Sequence, residues 1–422
     1  MSQGGDTPRR TSLDRGRIRV VFFDGVHPAA VERFAAAGYT QLVQHKGASE
    51  SDALIEAIRG AHMVGVRSRT QLTRPVIEAA DKLIAVGCFC IGTDQVDLEV
   101  AEARGIPVFN APFSNTRSVA ELVLGEIIML LRGIPERNAR AHRGVWTKTA
   151  GGSREARGKC LGIVGYGHIG TQVGLLAEAL GMQVVFYDIE AKLALGNATA
   201  MHSLDELLER ADVVTLHVPE TPQTARMIGR DQIELMRRDS LLLNAARGSV
   251  IDVDALCAAL SSGHLAGAAV DVFPDEPPSN DKEFISPLRE FDNVLLTPHI
   301  GGSTLEAQQN IGLEVAEKLI RYSDNGSTLS AVNFPEVALP EHPGKHRFLH
   351  IHENRPGMLS RVNEVFSRHG VNVAGQYLQT DARIGYVVID VDPGNGMSEN
   401  DTIALRREIE TIEGTIRTRV LY

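Results

Sequence analysis

The stretch Gly165-Tyr166-Gly167-His168-Ile169-Gly170 directly follows an apolar run, Leu161-Gly162-Ile163-Val164, that has the composition of a buried β-strand. An acid, Asp188, ends a second apolar run and stands 18 residues after the last glycine. At a turn from a strand into a helix, glycines with this spacing let the backbone turn, approach a pyrophosphate and pack the helix on the strand. Free N–H groups at the start of that helix bind the pyrophosphate. Because strand, glycines, helix and acid occur in this order, the sequence predicts a dinucleotide-binding domain.

Asp188 also indicates which dinucleotide is bound. Its carboxylate can accept hydrogen bonds from both hydroxyls of the adenosine ribose. The next residues are Ile189 and Glu190, so no arginine follows directly to bind a 2′-phosphate, which would instead meet a carboxylate. We therefore expect NAD rather than NADP.

The composition is that of an ordinary globular protein, with 422 residues, 43% of them hydrophobic and 23% charged. This length predicts two to four domains. The net charge of −10 argues against general nucleic-acid binding. The sequence contains no apolar run of the roughly 18 residues needed to span a membrane, and residues 1–19 lack the apolar segment of a secretory signal. We expect a cytoplasmic protein with no membrane or nucleic-acid partner.

The four cysteines do not indicate a metal site. Cys88 and Cys90 flank a single residue within an apolar run, and no second pair with metal-binding spacing follows. We interpret the cysteines as small buried hydrophobic residues in a reducing compartment, and predict no bound metal.

The chain divides into three segments, each with its own order of predicted strands and helices. From about Ile18 onward, strand-like and helical runs alternate, which predicts a parallel sheet covered by helices. A second α/β unit starts at Leu161 and has six strand-like runs, the strand count of a doubly wound nucleotide domain. The tail, 347–422, follows the order βαββαβ, which is ferredoxin-like, and carries no catalytic-looking cluster. We expect the tail to bind a small molecule or to mediate assembly.

Three charged residues stand just past predicted strands of the nucleotide domain: Arg247, Glu276 and His299. Loops that leave the carboxyl ends of parallel strands converge on the ligand crevice, so residues distant in sequence can meet there. Oxidation of a secondary alcohol needs a base for the hydroxyl proton, and histidine has an ordinary pKa of about 6.5. A carboxylate on the other ring nitrogen fixes the tautomer, and a guanidinium can hold a substrate carboxylate through two parallel hydrogen bonds. After an NAD-binding motif, these three residues predict a catalytic site.

Seven motifs carry a resemblance to a known family over nearly the whole chain. They are VRSRT (66–70), NAPFSNTRSVAE (110–121), GYGHIG (165–170), NAARG (244–248), VDVFPDEP (270–277), TPHIGG (297–302) and HIHENRPG (350–357). With them the chain resembles the D-isomer-specific 2-hydroxyacid dehydrogenases, most closely the bacterial D-3-phosphoglycerate dehydrogenases that end in an ACT domain. The resemblance implies NAD-dependent oxidation of D-3-phosphoglycerate to 3-phosphohydroxypyruvate, the first step of L-serine biosynthesis, with feedback inhibition by L-serine.

The resemblance also implies a domain plan. A flavodoxin-like α/β substrate domain is split into residues 13–114 and 303–341 around a doubly wound Rossmann domain, 115–302, that binds NAD. A ferredoxin-like ACT regulatory domain follows at 347–422, and the assembly is a homotetramer. The cofactor-binding residues expected are Gly165, Gly167, His168, Ile169, Gly170, Asp188, His217, Ala245, Ala246, Arg247, Asp271, His299, Gly301 and Gly302.

The substrate of such an enzyme bears a carboxylate and a phosphate, so a second cationic group is required besides Arg247. Arg67 and Arg69 follow an apolar run and stand two apart, which on a strand would place them on the same side. By resemblance they bind the phosphate, with Lys148 as a helper and Asn115 as a further substrate contact.

In the tail, His352, Asn354 and Asn372 match ACT-domain positions that bind serine. Asparagine offers both donors and acceptors, which a zwitterionic amino acid requires. Asn354 also precedes a predicted helix start, whose free N–H groups suit a carboxylate.

Two alternatives stay open. The same fold could act on another D-2-hydroxy acid, such as 2-hydroxyglutarate, although a small uncharged substrate side chain would not need Arg67 and Arg69. The chain could instead be an NAD-sensing binding protein, although intact Arg247, Glu276 and His299 argue against that function. An assay of NADH formation with D-3-phosphoglycerate would separate these possibilities.

Overall fold

The alternation of apolar strands and amphipathic helices builds three sheets, which we describe from a computed structural model of the chain. The structure describes residues 14–47, 51–277, 281–392 and 398–422, so the domain start predicted at Leu13 lies outside the described residues. The described residues form two compact units. One contains the chain up to Pro112 together with Gln309–Tyr422, and the other is Phe113–Gln308. The domain borders predicted from the sequence stay predictions.

The first sheet is parallel, and its strand order is β2-β1-β3-β4-β5, the flavodoxin-like order. Strands β3 and β4 are buried along their whole length, as expected for central strands covered by helices on both faces. The strands are β1 (Arg19–Phe22), β2 (Gln41–Gln44), β3 (Met63–Val66), β4 (Ala85–Cys88) and β5 (Val108–Phe109). The helices between them are α1 (Pro28–Ala36), α2 (Ser51–Ile58), α3 (Arg74–Ala79) and α4 (Leu98–Ala103).

The second unit holds the nucleotide domain, whose parallel sheet has the order β12-β11-β10-β9-β6-β7-β8. This is the doubly wound order, with the topological switch point between β6 and β9. Its strands are β6 (Cys160–Val164), β7 (Gln183–Tyr187), β8 (Thr199–Ala200), β9 (Val213–Leu216), β10 (Ser240–Asn244), β11 (Leu265–Val270) and β12 (Val294–Leu296). Its helices are α5 (Thr116–Leu131), α6 (Ile134–His142), α7 (His168–Ala179), α8 (Leu204–Arg210), α9 (Arg230–Leu235) and α10 (Val253–Ser261). The described sheet has seven strands rather than the predicted six, because β8 has only two exposed residues and leaves no apolar pattern.

The long helix α11 (Leu305–Asn325) follows the nucleotide domain, and the tail then forms an antiparallel sheet in the order β14-β15-β13-β16. Its elements are β13 (His346–Glu353), α12 (Met358–Arg368), β14 (Val373–Thr380), β15 (Ile384–Val391), α13 (Glu399–Glu410) and β16 (Thr415–Leu421). The predicted βαββαβ order and the α/β fold class are confirmed.

Both faces of the central strands β13 and β15 of the tail sheet are buried, whereas the edge strand β14 is mostly exposed. Phe348 and Val387 pack against the two tail helices, whereas Leu349 and Tyr386 join a core that also contains Phe109 of β5. The tail sheet and the first sheet therefore share one hydrophobic core within the same unit.

None of the helices in the described ranges is long and apolar enough to cross a membrane. Within those same ranges, the acidic, histidine and cysteine side chains form no cluster of three or more that could hold a metal ion.

Candidate active site

The glycine-rich turn between β6 and α7 is shaped by close backbone packing. Gly165 has φ of 91°, and a Cβ at this position would lie 2.5 Å from the backbone oxygen of His217, across the switch point. A Cβ at Gly170 would lie 2.2 Å from the oxygen of Gly165, so only glycine lets α7 come this close to β6. Gly167 faces open space with nothing within 4 Å of its Cβ position. The turn thus leaves room for a phosphate at the N-terminus of α7, where Ile169 lies in the first helical turn.

Asp188 directly follows β7 and lies against the glycine-rich turn. Its Oδ2 accepts a hydrogen bond from Tyr166 N at 2.8 Å, and its Oδ1 accepts one from Glu190 N at 3.0 Å. Each carboxylate oxygen can accept a second bond, so both remain available to the hydroxyls of a ribose. The same carboxylate braces the glycine-rich turn, which couples the two halves of the nucleotide site.

His217 lies beside the glycine-rich turn as a buried neutral ring. Burial lowers the pKa of His217 to about 3. Nε2 lies 3.0 Å from Thr215 Oγ1, and Nδ1 is buried without a hydrogen-bond partner among the described residues. An unpartnered polar atom at the switch point fits a site that takes a polar ligand.

His299 and Glu276 form the charged pair that the sequence predicts. Nδ1 of His299 lies 2.9 Å from Oε2 and 3.0 Å from Oε1 of Glu276. A carboxylate only accepts, so Nδ1 carries the proton and donates, and Nε2 is the ring nitrogen left to accept a proton. Glu276 Oε1 also accepts a hydrogen bond from Phe273 N at 3.2 Å, which fixes the carboxylate.

The pKa values of this pair shift in opposite directions. The hydrogen bond to Glu276 raises the pKa of His299, helped by the charges of Glu276 and Asp271 and opposed by burial and by Arg247. Burial acts to raise the pKa of Glu276, but its hydrogen bond with His299 and the positive charges of His299 and Arg247 outweigh it and lower that pKa. The pair is therefore an ionised carboxylate bound to a histidine that holds a proton more strongly than usual.

Arg247 lies in the loop that leaves β10, close enough to influence both members of the pair electrostatically. The loop is held by Asn244, whose Nδ2 donates to Arg247 O at 3.0 Å and whose Oδ1 accepts from Ala246 N at 3.0 Å. Gly248 touches the backbone of Phe273, where a Cβ would lie 2.0 Å from the carbonyl carbon. Close contact of these two loops brings Arg247 into the neighbourhood of Glu276, while Ala245 and Ala246 line the same loop.

Asp271, at the end of β11, holds the loop that carries His299. Its Oδ1 accepts from Thr297 Oγ1 at 2.6 Å and from Ile300 N at 2.8 Å, and its Oδ2 accepts from Gly301 N at 2.9 Å. Its backbone oxygen accepts from His299 N at 2.8 Å. His299 has φ of 51°, a left-handed conformation that is unfavourable for a non-glycine residue and needs such support. The sequence predicts only cofactor binding for Asp271, and no sequence signal indicated that it holds this loop.

A cavity of about 650 Å³ opens beside the pair, lined by His299, Glu276, Thr297, Lys282 and apolar side chains including Phe284. This volume lies in the range of small-molecule sites. The cavity is thus large enough for a small molecule beside His299.

Asn115 and Lys148 occupy different surroundings in the same unit. Asn115 precedes α5 and is 5% exposed, with Oδ1 unpartnered among the described residues and Nδ2 against Gly302. Such an oxygen suits a polar ligand that donates. Lys148 is exposed, in a segment without helix or strand that also exposes Trp146.

Arg67 and Arg69 lie in the other unit, beyond the end of β3 at Val66. They are therefore in a turn rather than on the strand, and the expectation that strand alternation places them on one side does not apply. Arg67 is half-buried and Arg69 is exposed.

Within one chain, the three predicted effector residues do not lie close together. His352 is 3% exposed, its Nδ1 donates to Glu353 O at 2.9 Å, and its Nε2 is unpartnered among the described residues. Asn354 donates through Nδ2 to Asp381 O at 2.7 Å. Asn372 directly precedes β14. The first residue of β14 pairs with Val391 at one end of β15, whereas His352 pairs with Gly385 near the other end of β15. The separation along the strands is about 20 Å at ~3.3 Å per residue.

A model of the D-isomer specific 2-hydroxyacid dehydrogenase NAD-binding domain matches residues 124–301, and a model of the AHAS small subunit-like ACT domain matches residues 348–417. The chain is 63% identical to D-3-phosphoglycerate dehydrogenase of Escherichia coli over 98% of this chain and 100% of that protein. It is 61% identical to D-3-phosphoglycerate dehydrogenase of Haemophilus influenzae over 98% of this chain and 99% of that protein.

Solved structures give the same fold. D-lactate dehydrogenase from Aquifex aeolicus, complexed with NAD and lactic acid, has a TM-score of 0.63 and 28% identity over 72% of this chain and 95% of that chain. A D-isomer specific 2-hydroxyacid dehydrogenase from Lactobacillus delbrueckii, in its NAD-complexed form, has a TM-score of 0.67 and 25% identity over 74% of this chain and 100% of that chain.

The fold and the site together define an NAD-dependent oxidoreductase of the D-isomer-specific 2-hydroxyacid dehydrogenase class. The expectation of NAD as cofactor is confirmed. Identity over almost the full length then places the chain more narrowly: it belongs to the D-3-phosphoglycerate dehydrogenase family.

Proposed function

We propose that the chain oxidises D-3-phosphoglycerate to 3-phosphohydroxypyruvate with NAD, as the first step of L-serine synthesis. The observation that carries the proposal is the hydrogen bond from His299 Nδ1 to Glu276, next to Arg247 and a cavity of small-molecule size. A base, its orienting carboxylate and a carboxylate-binding cation are the groups that oxidation of a 2-hydroxy acid needs.

In this mechanism Nε2 of His299 accepts the hydroxyl proton of the substrate while the hydride leaves C2 and the C2–O bond becomes a carbonyl. NAD, when bound, accepts the hydride. Glu276 stabilises the imidazolium that forms, because a carboxylate 2.9 Å from Nδ1 attracts the charged ring more than the neutral one. Arg247 holds the substrate carboxylate through two parallel hydrogen bonds.

Arg67 and Arg69 bind the substrate phosphate, with Lys148 as helper and Asn115 as a further polar contact. Support comes from the two arginine charges in one short turn and from the unpartnered Oδ1 of Asn115. The phosphate group of a phosphate ester has three terminal oxygens, which two guanidinium groups can share without competing.

We further propose that L-serine binds the ACT domain and inhibits at a distance, and that the enzyme works in the cytoplasm as a homotetramer. The unpartnered, buried Nε2 of His352 can accept a hydrogen bond from the effector. Asn372 lies at the other end of the sheet. A second copy aligned antiparallel along edge strand β14 would therefore bring its own Asn372 toward His352 and Asn354. An effector site shared by two copies supports both assembly and inhibition. The four cysteines are free thiols, which suits a reducing compartment.

The test is NADH formation by the purified full-length chain with NAD and D-3-phosphoglycerate, compared with D-2-hydroxyglutarate and D-lactate at equal concentrations. We expect the highest kcat/KM with D-3-phosphoglycerate. Preference for either other acid would refute the substrate assignment. Addition of L-serine to the same assay, at a D-3-phosphoglycerate concentration near KM, tests the effector independently, and an unaffected rate would refute the regulatory proposal alone.

A further inference from the structure

The turn that carries Arg67 and Arg69 is tied to a residue 43 positions earlier in the chain. Asp24 follows β1, and its Oδ2 accepts hydrogen bonds from Arg67 N at 3.2 Å and from Thr70 N at 2.9 Å. Its Oδ1 accepts a third bond from Thr70 Oγ1 at 2.7 Å. One carboxylate thus closes both ends of a four-residue turn.

Asp24 itself is held in an unusual conformation. Its φ is 61°, in the left-handed region that non-glycine residues seldom adopt, and Gly25 continues the turn with φ of 65°. Aspartate tolerates this region better than most residues, but the conformation still has an energetic cost. The three hydrogen bonds to the arginine turn offset that cost, so the two turns hold each other in shape.

The arginine side chains themselves remain available. In the part of the chain that the structure describes, the contacts of Asp24 go to the backbone of the turn and to the Thr70 hydroxyl, not to either guanidinium. Thr70 is 1% exposed and anchors the turn, whereas Arg69 is exposed. Cys90 is a neighbouring titratable group, and because burial raises its pKa to about 11 it is a neutral thiol.

We propose that Asp24 is a positioning residue for substrate recognition. Its carboxylate fixes the Arg67–Thr70 turn so that Arg67 and Arg69 meet one phosphate group together. The inference rests on the proposed function, because it requires that the two arginines bind the substrate phosphate. Without Asp24, substrate binding itself would have to order the turn, and part of the binding free energy would be lost in doing so. Substrate binding would then be weaker, while the rate of hydride transfer would not change.

The experiment compares Asp24→Ala with wild type in steady-state kinetics with D-3-phosphoglycerate. We expect KM to rise about tenfold, which corresponds to ~1.4 kcal/mol, while kcat changes less than about threefold. The dissociation constant of NADH, measured by fluorescence without substrate, should stay at the wild-type value. The fluorescence titration reports only on the nucleotide unit. A urea unfolding curve that matches wild type is therefore the check that the unit containing Asp24 is folded.

A milder pair of variants keeps the inference testable if Asp24→Ala folds poorly. Thr70→Val removes only the hydroxyl donor to Asp24, whereas Thr70→Ser keeps that donor and removes a methyl group. We expect KM to rise in the valine variant by severalfold and to return toward the wild-type value in the serine variant. Equal KM values in the two variants would overturn the proposed role of this hydrogen bond.

A double-variant cycle separates this inference from the proposed function. Arg67→Met with Arg69→Met should raise KM strongly, and adding Asp24→Ala to that background should raise it no further, because Asp24 acts through the arginines. An unchanged KM in the arginine variants would refute the phosphate assignment itself. The positioning role is wrong if the arginine variants behave as expected but Asp24→Ala raises KM by the same factor in wild type and in the double arginine variant. It is also wrong if Asp24→Ala raises KM in neither of these two proteins.

Discussion

Replacing Glu276 with glutamine is the sharpest test of the catalytic pair, because the amide has nearly the same shape but carries no charge. Glutamine Oε1 can still accept a hydrogen bond from His299 Nδ1, so the ring should keep its place. What disappears is the negative charge that lies 2.9 Å from the ring and raises the pKa of His299.

The expected magnitude follows from the exposure of the pair. A hydrogen bond to a charged group contributes about 1.5–3 kcal/mol to stability. The side chains of His299 and Glu276 are 52% and 37% exposed, so solvent screens part of their attraction and the lower end of that range applies. A loss of ~1.4 kcal/mol from the transition state corresponds to about tenfold in kcat.

The pH dependence gives a second, independent signature. Oxidation requires neutral His299, so kcat/KM rises with pH as the ring loses its proton. Removing the Glu276 charge removes the main cause that raises the pKa of His299, so the rise should move to lower pH. NADH formation would be measured from about pH 5 to 9. The control is Glu234→Gln, an exposed carboxylate on α9, which should change neither rate nor profile. A Glu276 variant with unchanged kcat and an unmoved acidic limb would refute the pairing mechanism.

Three further changes test other parts of the molecule. Asp188→Ala should weaken NADH binding and reduce the preference of the protein for NADH over NADPH, because the variant loses a carboxylate that accepts hydrogen bonds from the ribose and repels a 2′-phosphate. An unchanged ratio of the NADH and NADPH dissociation constants would contradict this prediction. Asn354→Ala should leave uninhibited activity near normal but raise the L-serine concentration for half-inhibition severalfold to about tenfold, whereas an unshifted serine titration would remove it from the effector site. Asp390→Ala should lower the unfolding free energy by about 3–5 kcal/mol in urea denaturation, because it leaves Arg347, which is fully buried and bonded to both carboxylate oxygens, without its counter-charge. Glu121→Ala, in an exposed ion pair, is the control for this last comparison and should barely alter stability.

The sequence was sufficient for the fold class because its signals are local and periodic. The glycine spacing, the apolar runs and the βαββαβ order of the tail each predict an element from adjacent residues, and the structure and the family matches confirm the fold class. The pairing of His299 with Glu276 was predictable for a related reason. Both follow strands of one parallel sheet, so the strand ends bring them to the same edge.

The supporting contacts could not be predicted in the same way. Asp24 and Asp271 hold loops through side-chain bonds to residues 26–46 positions away, and such bonds leave no periodic trace in a sequence. Strand alternation could not place the side chains of Arg67 and Arg69, because β3 ends at Val66, before both of them. The distance between Asn372 and His352 depends on the register of β14, which only the assembled sheet defines.

The shared core of the first unit has a consequence for how the chain folds during synthesis. Phe22, near the beginning of the chain, and Leu421, its penultimate residue, belong to the same hydrophobic core. That core cannot close until nearly the whole chain has left the ribosome. The nucleotide unit, Phe113–Gln308, is contiguous and can fold as soon as it emerges. We therefore expect the cofactor-binding unit to fold first. The early strands have core partners almost 400 residues further along the chain, so their apolar faces stay exposed until those partners are synthesised. During that interval we expect the chain to expose the most apolar surface to chaperones.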